Sequence, residues 1–260
     1  MTKGRPEDFH DIRKTDLKDL NKDYLHVDPL RHSYRTSLLD TPEVHKAITQ
    51  HKVALLVIDL QYLDAAQGYG VFADVTQSGV PLEAQEYYFK RLDHVVLPNV
   101  RRLQDAFRDL KLEVIHTRIQ SLTKDGRDRS IGHQRLGLHA PPGSKEAEFL
   151  QEVKPKGDEI IINKTASGVF NSTNLEYILR NMHIDSLYVC GVYTNECVST
   201  TVRDACDRGF HITLINDACA TVTPELHNAT ISTVRDRYSR VMTADEVVKE
   251  VRAVGKNEQR

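Results

Sequence analysis

The run Val53-Ala-Leu-Leu-Val-Ile-Asp59-Leu-Gln61 decides the fold. Its first six residues are apolar without alternation, the pattern of a strand covered on both faces, and such strands lie in parallel sheets between helices. Working outward, four more apolar runs follow at Leu112–His116, Glu159–Ile162, Leu187–Val192 and His211–Ile215, with a weaker sixth near Ser239–Met242. Helical patterns separate them: Tyr87–Leu110, Thr173–Asn181, Glu196–Asp207, Pro224–Arg235 and Ala244–Val251, the first with a kink or break expected at Pro98. Alternating strand and helix predicts an α/β fold with a doubly wound parallel sheet.

Two segments stand outside this rhythm. Residues 1–50 are polar, charged and aromatic-spiked without a sustained period. They read as an extension that packs over the domain or reaches a neighbouring subunit, or is in part disordered, ahead of a single domain at 51–260. Residues 117–157 form one long irregular stretch rich in Gly and Pro, the kind of segment that serves as a lid or binding loop.

Composition excludes several classes. A net charge of −2 with no basic run leaves no nucleic-acid footprint. No stretch is long and apolar enough to span a membrane, and the charged N-terminus lacks a signal-peptide core, so a cytoplasmic protein is expected. The four cysteines, Cys190, Cys197, Cys206 and Cys219, show no CxxC spacing and are expected to be reduced.

Ligands in open α/β sheets bind beyond the carboxyl ends of the strands. Asp59 stands there after the first run, Lys164 after the third, and Cys197 in the turn after the fourth, followed at once by a helix. Taken singly, a cysteine is most often a small buried hydrophobe, an aspartate a helix cap and a lysine a solvated loop residue. Together they form a reactive set. A thiol at a helix start beside a lysine is expected to be pulled toward thiolate, and a carboxylate can take its proton and return it to a leaving amine. Amides of the turn can face a developing oxyanion.

These motifs resemble the isochorismatase-like cysteine hydrolases. The resemblance rests on Leu-Leu-Val-Ile-Asp59-Leu-Gln, on Asn-Lys164-Thr-Ala-Ser-Gly-Val-Phe170, on Cys-Gly-Val-Tyr-Thr-Asn-Glu-Cys197-Val, and on Asn216-Asp-Ala-Cys-Ala-Thr221. It covers about residues 50–245 and implies a Rossmann-like, six-stranded, three-layer α/β/α fold with an Asp59–Lys164–Cys197 triad. It also implies a homo-oligomer (dimer or tetramer), a cis peptide between Val192 and Tyr193, and an oxyanion hole from the Tyr193 and Cys197 amides. Many relatives carry a smaller residue where Tyr193 stands, a departure that narrows the pocket.

Metal-containing nicotinamidases of this family carry an Asp-x-His pattern after the second strand, which Val-Ile-His116-Thr-Arg118 lacks. No metal or other cofactor is therefore expected, with His116, His133 and His139 the first candidates should one bind. His116-Thr-Arg118 and Ile-Gly-His-Gln-Arg135 are more similar to the biuret, ureidoacrylate and N-carbamoylsarcosine amidohydrolases. The resemblance thus implies cleavage of a C–N bond in a small amide or ureido substrate, with Gln61, Arg118, Arg135 and Phe170 as candidate substrate contacts. Of these Arg135 is preferred, while Arg127 and Arg129 are expected in solvent or at an interface. Vinyl-ether hydrolysis, nicotinamidase-like cleavage and a silent binding module on the same fold stay open.

Overall fold

The computed structural model describes residues 30, 33–35, 38 and 42–255. Six strands run parallel in one sheet: β1 (Val53–Ile58), β2 (Glu113–Ile119), β3 (Ile160–Lys164), β4 (Ser186–Val192), β5 (His211–Ala220) and β6 (Arg240–Met242). Their spatial order is β3-β2-β1-β4-β5-β6. The chain steps outward from β1 to one edge, returns to β4 beside β1, and steps to the other edge. That reversal leaves a crevice beyond β1 and β4.

Ten helices accompany the sheet among the described residues: α1 (Pro42–Thr49), α2 (Tyr62–Ala65), α3 (Leu82–Arg91), α4 (Leu97–Asp109), α5 (Ile131–Arg135), α6 (Val169–Ser172), α7 (Leu175–Asn181), α8 (Ser199–Asp207), α9 (Pro224–Val234) and α10 (Ala244–Gly255). α4 and α10 pack on one another and on β5, with α1 against α10; α8 packs with α6 and α9. Every residue of β1 and of β4 is buried, as an unbroken apolar run between helical layers requires.

Two expectations need correction, whereas α1, within the expected extension, packs over the domain and places Val44, Ala47 and Ile48 in the main core. The rest of the expected extension lies mostly outside the described residues. The first long helix begins at Leu82 rather than Tyr87, and its irregularity is a π-helical segment, Leu92–Val96, just ahead of Pro98 in the first turn of α4. The 117–157 segment is less irregular than it reads. β2 runs on to Ile119, α5 forms one short helix, and Leu138, Ala140 and Ala147 build a small second core with Leu63 and Ile119.

Candidate active site

β1 is followed at once by Asp59 with φ at +53°, a left-handed conformation that aspartate tolerates better than most residues. Its amide donates to the Thr117 carbonyl at 3.1 Å, and the Thr117 hydroxyl donates to Asp59 Oδ1 at 2.9 Å. The other oxygen, Oδ2, lies 2.8 Å from the Lys164 ammonium at the end of β3. Lys164 Nζ also donates to the Ala166 carbonyl at 3.0 Å and to Cys197 Sγ at 3.3 Å. One buried cation thus touches the carboxylate and the thiol. Cys197 is 4 % exposed and lies in the π-helical turn Thr194–Val198 that leads from β4 into α8.

Gly191 makes this approach possible. Its φ is +121°, and a Cβ there would sit 2.0 Å from the Ile58 carbonyl oxygen, so β4 crosses β1 at backbone contact just before the cysteine turn. The Val192–Tyr193 peptide is cis. The Tyr193 carbonyl accepts from the amides of Glu196 and Val198, at 3.0 and 3.2 Å. The Tyr193 hydroxyl reaches back 3.1 Å to the Asp64 carbonyl, so this bulky side chain tethers the segment after β1.

The electrostatics reverse one expectation. Burial pushes the Cys197 thiol up, and although Lys164 pulls it down, Asp59 and Asp64 push it further up. The resting group is a thiol, not the thiolate expected for a cysteine at a helix start. Burial works against the Lys164 ammonium, but Asp59 and the Cys197 sulfur outweigh it and hold the lysine charged.

Three of the four candidate substrate contacts, Gln61, Arg118 and Phe170, have protein partners of their own. Gln61 is buried and spends its whole side-chain amide on structure: Nε2 donates to the Ile119 and Glu146 carbonyls at 2.9 and 2.8 Å, and Oε1 accepts from the Ile119 amide at 2.6 Å. Arg118 donates to Asn163 Oδ1 at 2.8 Å and to the Ala147 carbonyl at 2.9 Å while lying over the Phe149 ring. Phe170 packs beside Phe210 and beneath Arg208.

Arg135 is exposed, and the residue its helix turns inward is His133. Two helical positions apart, the side chains point to nearly opposite sides. Of the neighbouring loop arginines, Arg127 pairs with Asp125 in solvent as expected. Arg129 does not, since it donates to the carbonyls of Gly126 and Leu138 and acts as a strut of the loop.

His133, Thr117 and Asp64 are the residues that sequence reasoning missed or passed over. Burial first, then the Lys164 charge, lowers His133 to about 4, so its ring is neutral at neutral pH. Its Nδ1 has no partner among the described residues. Asp64, in the single turn of α2, is 2 % exposed and has no hydrogen-bond partner on either carboxyl oxygen among the described residues. His116 is occupied by Glu159 at 3.0 Å. Among the described residues no three His, Cys, Asp or Glu side chains converge as a metal site would require.

Residues 53–246 match the sequence profile of the isochorismatase domain. An isochorismatase family protein of Bacillus subtilis, YwoC, is 29% identical over 206 residues, 77% of this chain and 95% of its own. The N-carbamoylsarcosine amidase of an Arthrobacter species is 28% identical over 161 residues, 59% of this chain and 60% of its own. Among solved structures, a cysteine hydrolase from Pseudomonas syringae superposes with a TM-score of 0.63 at 22% identity, covering 78% of this chain and 94% of that one.

Proposed function

Because the chain belongs to the isochorismatase family of hydrolases, we propose that it is a cysteine-dependent amidohydrolase cleaving a C–N bond of a small amide or ureido compound. The observation that carries this reading is the Lys164 ammonium in contact with both Asp59 Oδ2, at 2.8 Å, and Cys197 Sγ, at 3.3 Å. A relative similar to this chain is named as an amidase, which supports the choice of bond.

The chemistry follows from a resting thiol. Substrate brings its carbonyl carbon to Sγ; as the C–S bond forms, the thiol proton moves to Asp59 and the carbonyl electrons move onto oxygen. The amides of Tyr193 and Cys197 receive that oxyanion. Collapse breaks the C–N bond, and Asp59 returns the proton to nitrogen, so ammonia or an amine leaves and a thioester remains. Water then adds to the thioester, giving its proton to Asp59; collapse releases the acid, and the proton goes back to sulfur. Lys164 stays charged throughout and stabilises whichever of Asp59 and Cys197 carries the negative charge.

Cys197→Ala, Asp59→Asn and Lys164→Ala are each expected to lower kcat by roughly 10³-fold or more, since the three act as a unit. Ammonia release across simple amides, ureides and carbamoyl amino acids is the measurement. Retention of more than a few per cent of the rate in Cys197→Ala would exclude a thioester and favour the vinyl-ether chemistry that needs no thiol.

A further inference from the structure

We infer that Asp64 is the substrate-recognition group of this site, binding the neutral edge of an amide or ureide that presents a carbonyl oxygen and an N–H side by side. The inference rests on the amidohydrolase reading above and names the class of substrate within it.

The geometry comes first. Asp64 lies five residues after Asp59, in the single turn of α2, is buried, and is near enough to Asp59, Lys164 and Cys197 to feel or exert their electrostatic influence. Two phenols fix the backbone there: Tyr88 donates to the Asp64 carbonyl at 2.8 Å and Tyr193 donates to the same oxygen at 3.1 Å. Their rings pack with centroids 5.3 Å apart. Buried Tyr88 and partly buried Tyr193, the latter adjoining the nucleophile turn, therefore hold a residue whose own carboxyl oxygens bond to nothing among the described residues. A buried polar group without a partner is costly, and it persists where a ligand supplies the partner.

The charged and titratable groups around it are Asp59, Lys164, Glu196, Cys197, Tyr88 and Tyr193. Burial is the main influence on the Asp64 carboxyl and pushes it up; the Asp59 carboxylate and Glu196 push it further, and Lys164 only partly offsets them. Lys164 is already engaged by Asp59. A carboxyl so buried, with a carboxylate nearby and the nearest cation already engaged, is driven toward its protonated form, which offers one O–H donor and one carbonyl acceptor. That pair matches an amide edge, O–H to carbonyl and C=O to N–H. A substrate carboxylate offers acceptors only and sets its charge against the Asp64 carbonyl oxygen. A substrate ammonium offers donors only.

The test uses malonamide against malonamate and 3-aminopropanamide, in which one amide end is replaced by a carboxylate or an ammonium group. Wild-type protein is expected to release ammonia from malonamide with kcat/KM at least ~10-fold above either analogue, the order of discrimination a buried polar group imposes. Asp64→Leu is expected to lose that preference with the loss mainly in KM, and Asp64→Asn, which keeps one donor and one acceptor, to recover most of it. KM of wild-type protein should rise with pH as Asp64 ionises, whereas KM of Asp64→Asn should not follow pH in this way. In parallel, the carboxyl carbon of Asp64 is followed by carbon NMR, where malonamide should shift its signal and malonamate should not.

The two readings fail separately. A malonamide-dependent shift without ammonia release sinks the amidohydrolase reading and leaves recognition by Asp64 standing. Preference for either charged analogue overturns the inference, as does an Asp64→Leu variant with wild-type KM. It also falls if malonamide neither turns over nor moves the Asp64 signal. Should Asp64→Leu fail to fold, the contrast in pH profile between wild type and Asp64→Asn decides alone.

Discussion

Asp59 and Asp64 are the only charged residues between Val53 and Ala73, and they meet different fates. Asp59 faces the Lys164 ammonium, while the Asp64 carboxyl has no hydrogen-bond partner among the described residues. The first was legible because a carboxylate ending an apolar run falls at the carboxyl edge of a parallel sheet. The second was legible only as a charge in an apolar neighbourhood, since nothing local announces the single helical turn that buries it. Two histidines allow a prediction at this scale. Burial lowers both His133 and His227 to about 4, with Lys164 adding to the first and Arg91 to the second. The ordinary imidazole value is about 6.5. Below that pH the unfolded chain takes up protons that the folded chain refuses, so their contribution to stability is intact at pH 7 and declines as pH falls toward about 4. His227, held by Thr194 and Asn216, is the cleaner case. Denaturant unfolding at pH 7 and pH 5 should show His227→Gln losing less stability than wild type across the interval, by on the order of 1 kcal/mol after allowing for solvent screening.

Among elements, the β1–β4 seam carries most. Gly191 lies so near the Ile58 carbonyl that no side chain fits between the strands. Gly191→Ala should therefore cost at least ~2 kcal/mol in denaturant unfolding and lower activity together with stability, because the clash sits one residue from Asp59. A wild-type midpoint with wild-type kcat would show that the strands can part there without harm. The strands themselves were readable to within a few residues from unbroken apolar runs. The loop after β2 was not. Its glycines and prolines suggested irregularity, yet Leu138, Ala140 and Ala147 find a core of their own with residues far away in sequence. Composition could place arginines in that loop but not say which way α5 turns them, and so Arg135 was preferred where His133 is the residue turned inward.

Across the whole molecule, the reversal between β1 and β4 assembles the site from three separate strand ends, which is why residues 59, 164 and 197 could be read as one set before any contact was known. What escaped the sequence is the polar bracing toward the opposite ends of the strands. Arg240 of β6 donates to both carboxyl oxygens of Glu250, at 2.8 and 3.0 Å, and to Thr213 of β5, while Tyr188 of β4 donates to Glu250 at 2.6 Å. Removing the carboxylate in Glu250→Leu leaves a buried guanidinium uncompensated, a loss of about 3–5 kcal/mol. Unfolding in denaturant should show that loss, with KM unchanged in the fraction that stays folded. Lys164, by contrast, ends β3, which borders the sheet and has β2 as its only strand neighbour among the described residues. A border strand is the first part of a sheet to fray. When it lifts, the cation that favours the charged sulfur among the described residues departs, and nothing offsets the groups that keep the proton on Cys197. A copy warmed toward melting is therefore expected to go chemically quiet before it unfolds, which activity and circular dichroism followed together on heating would show.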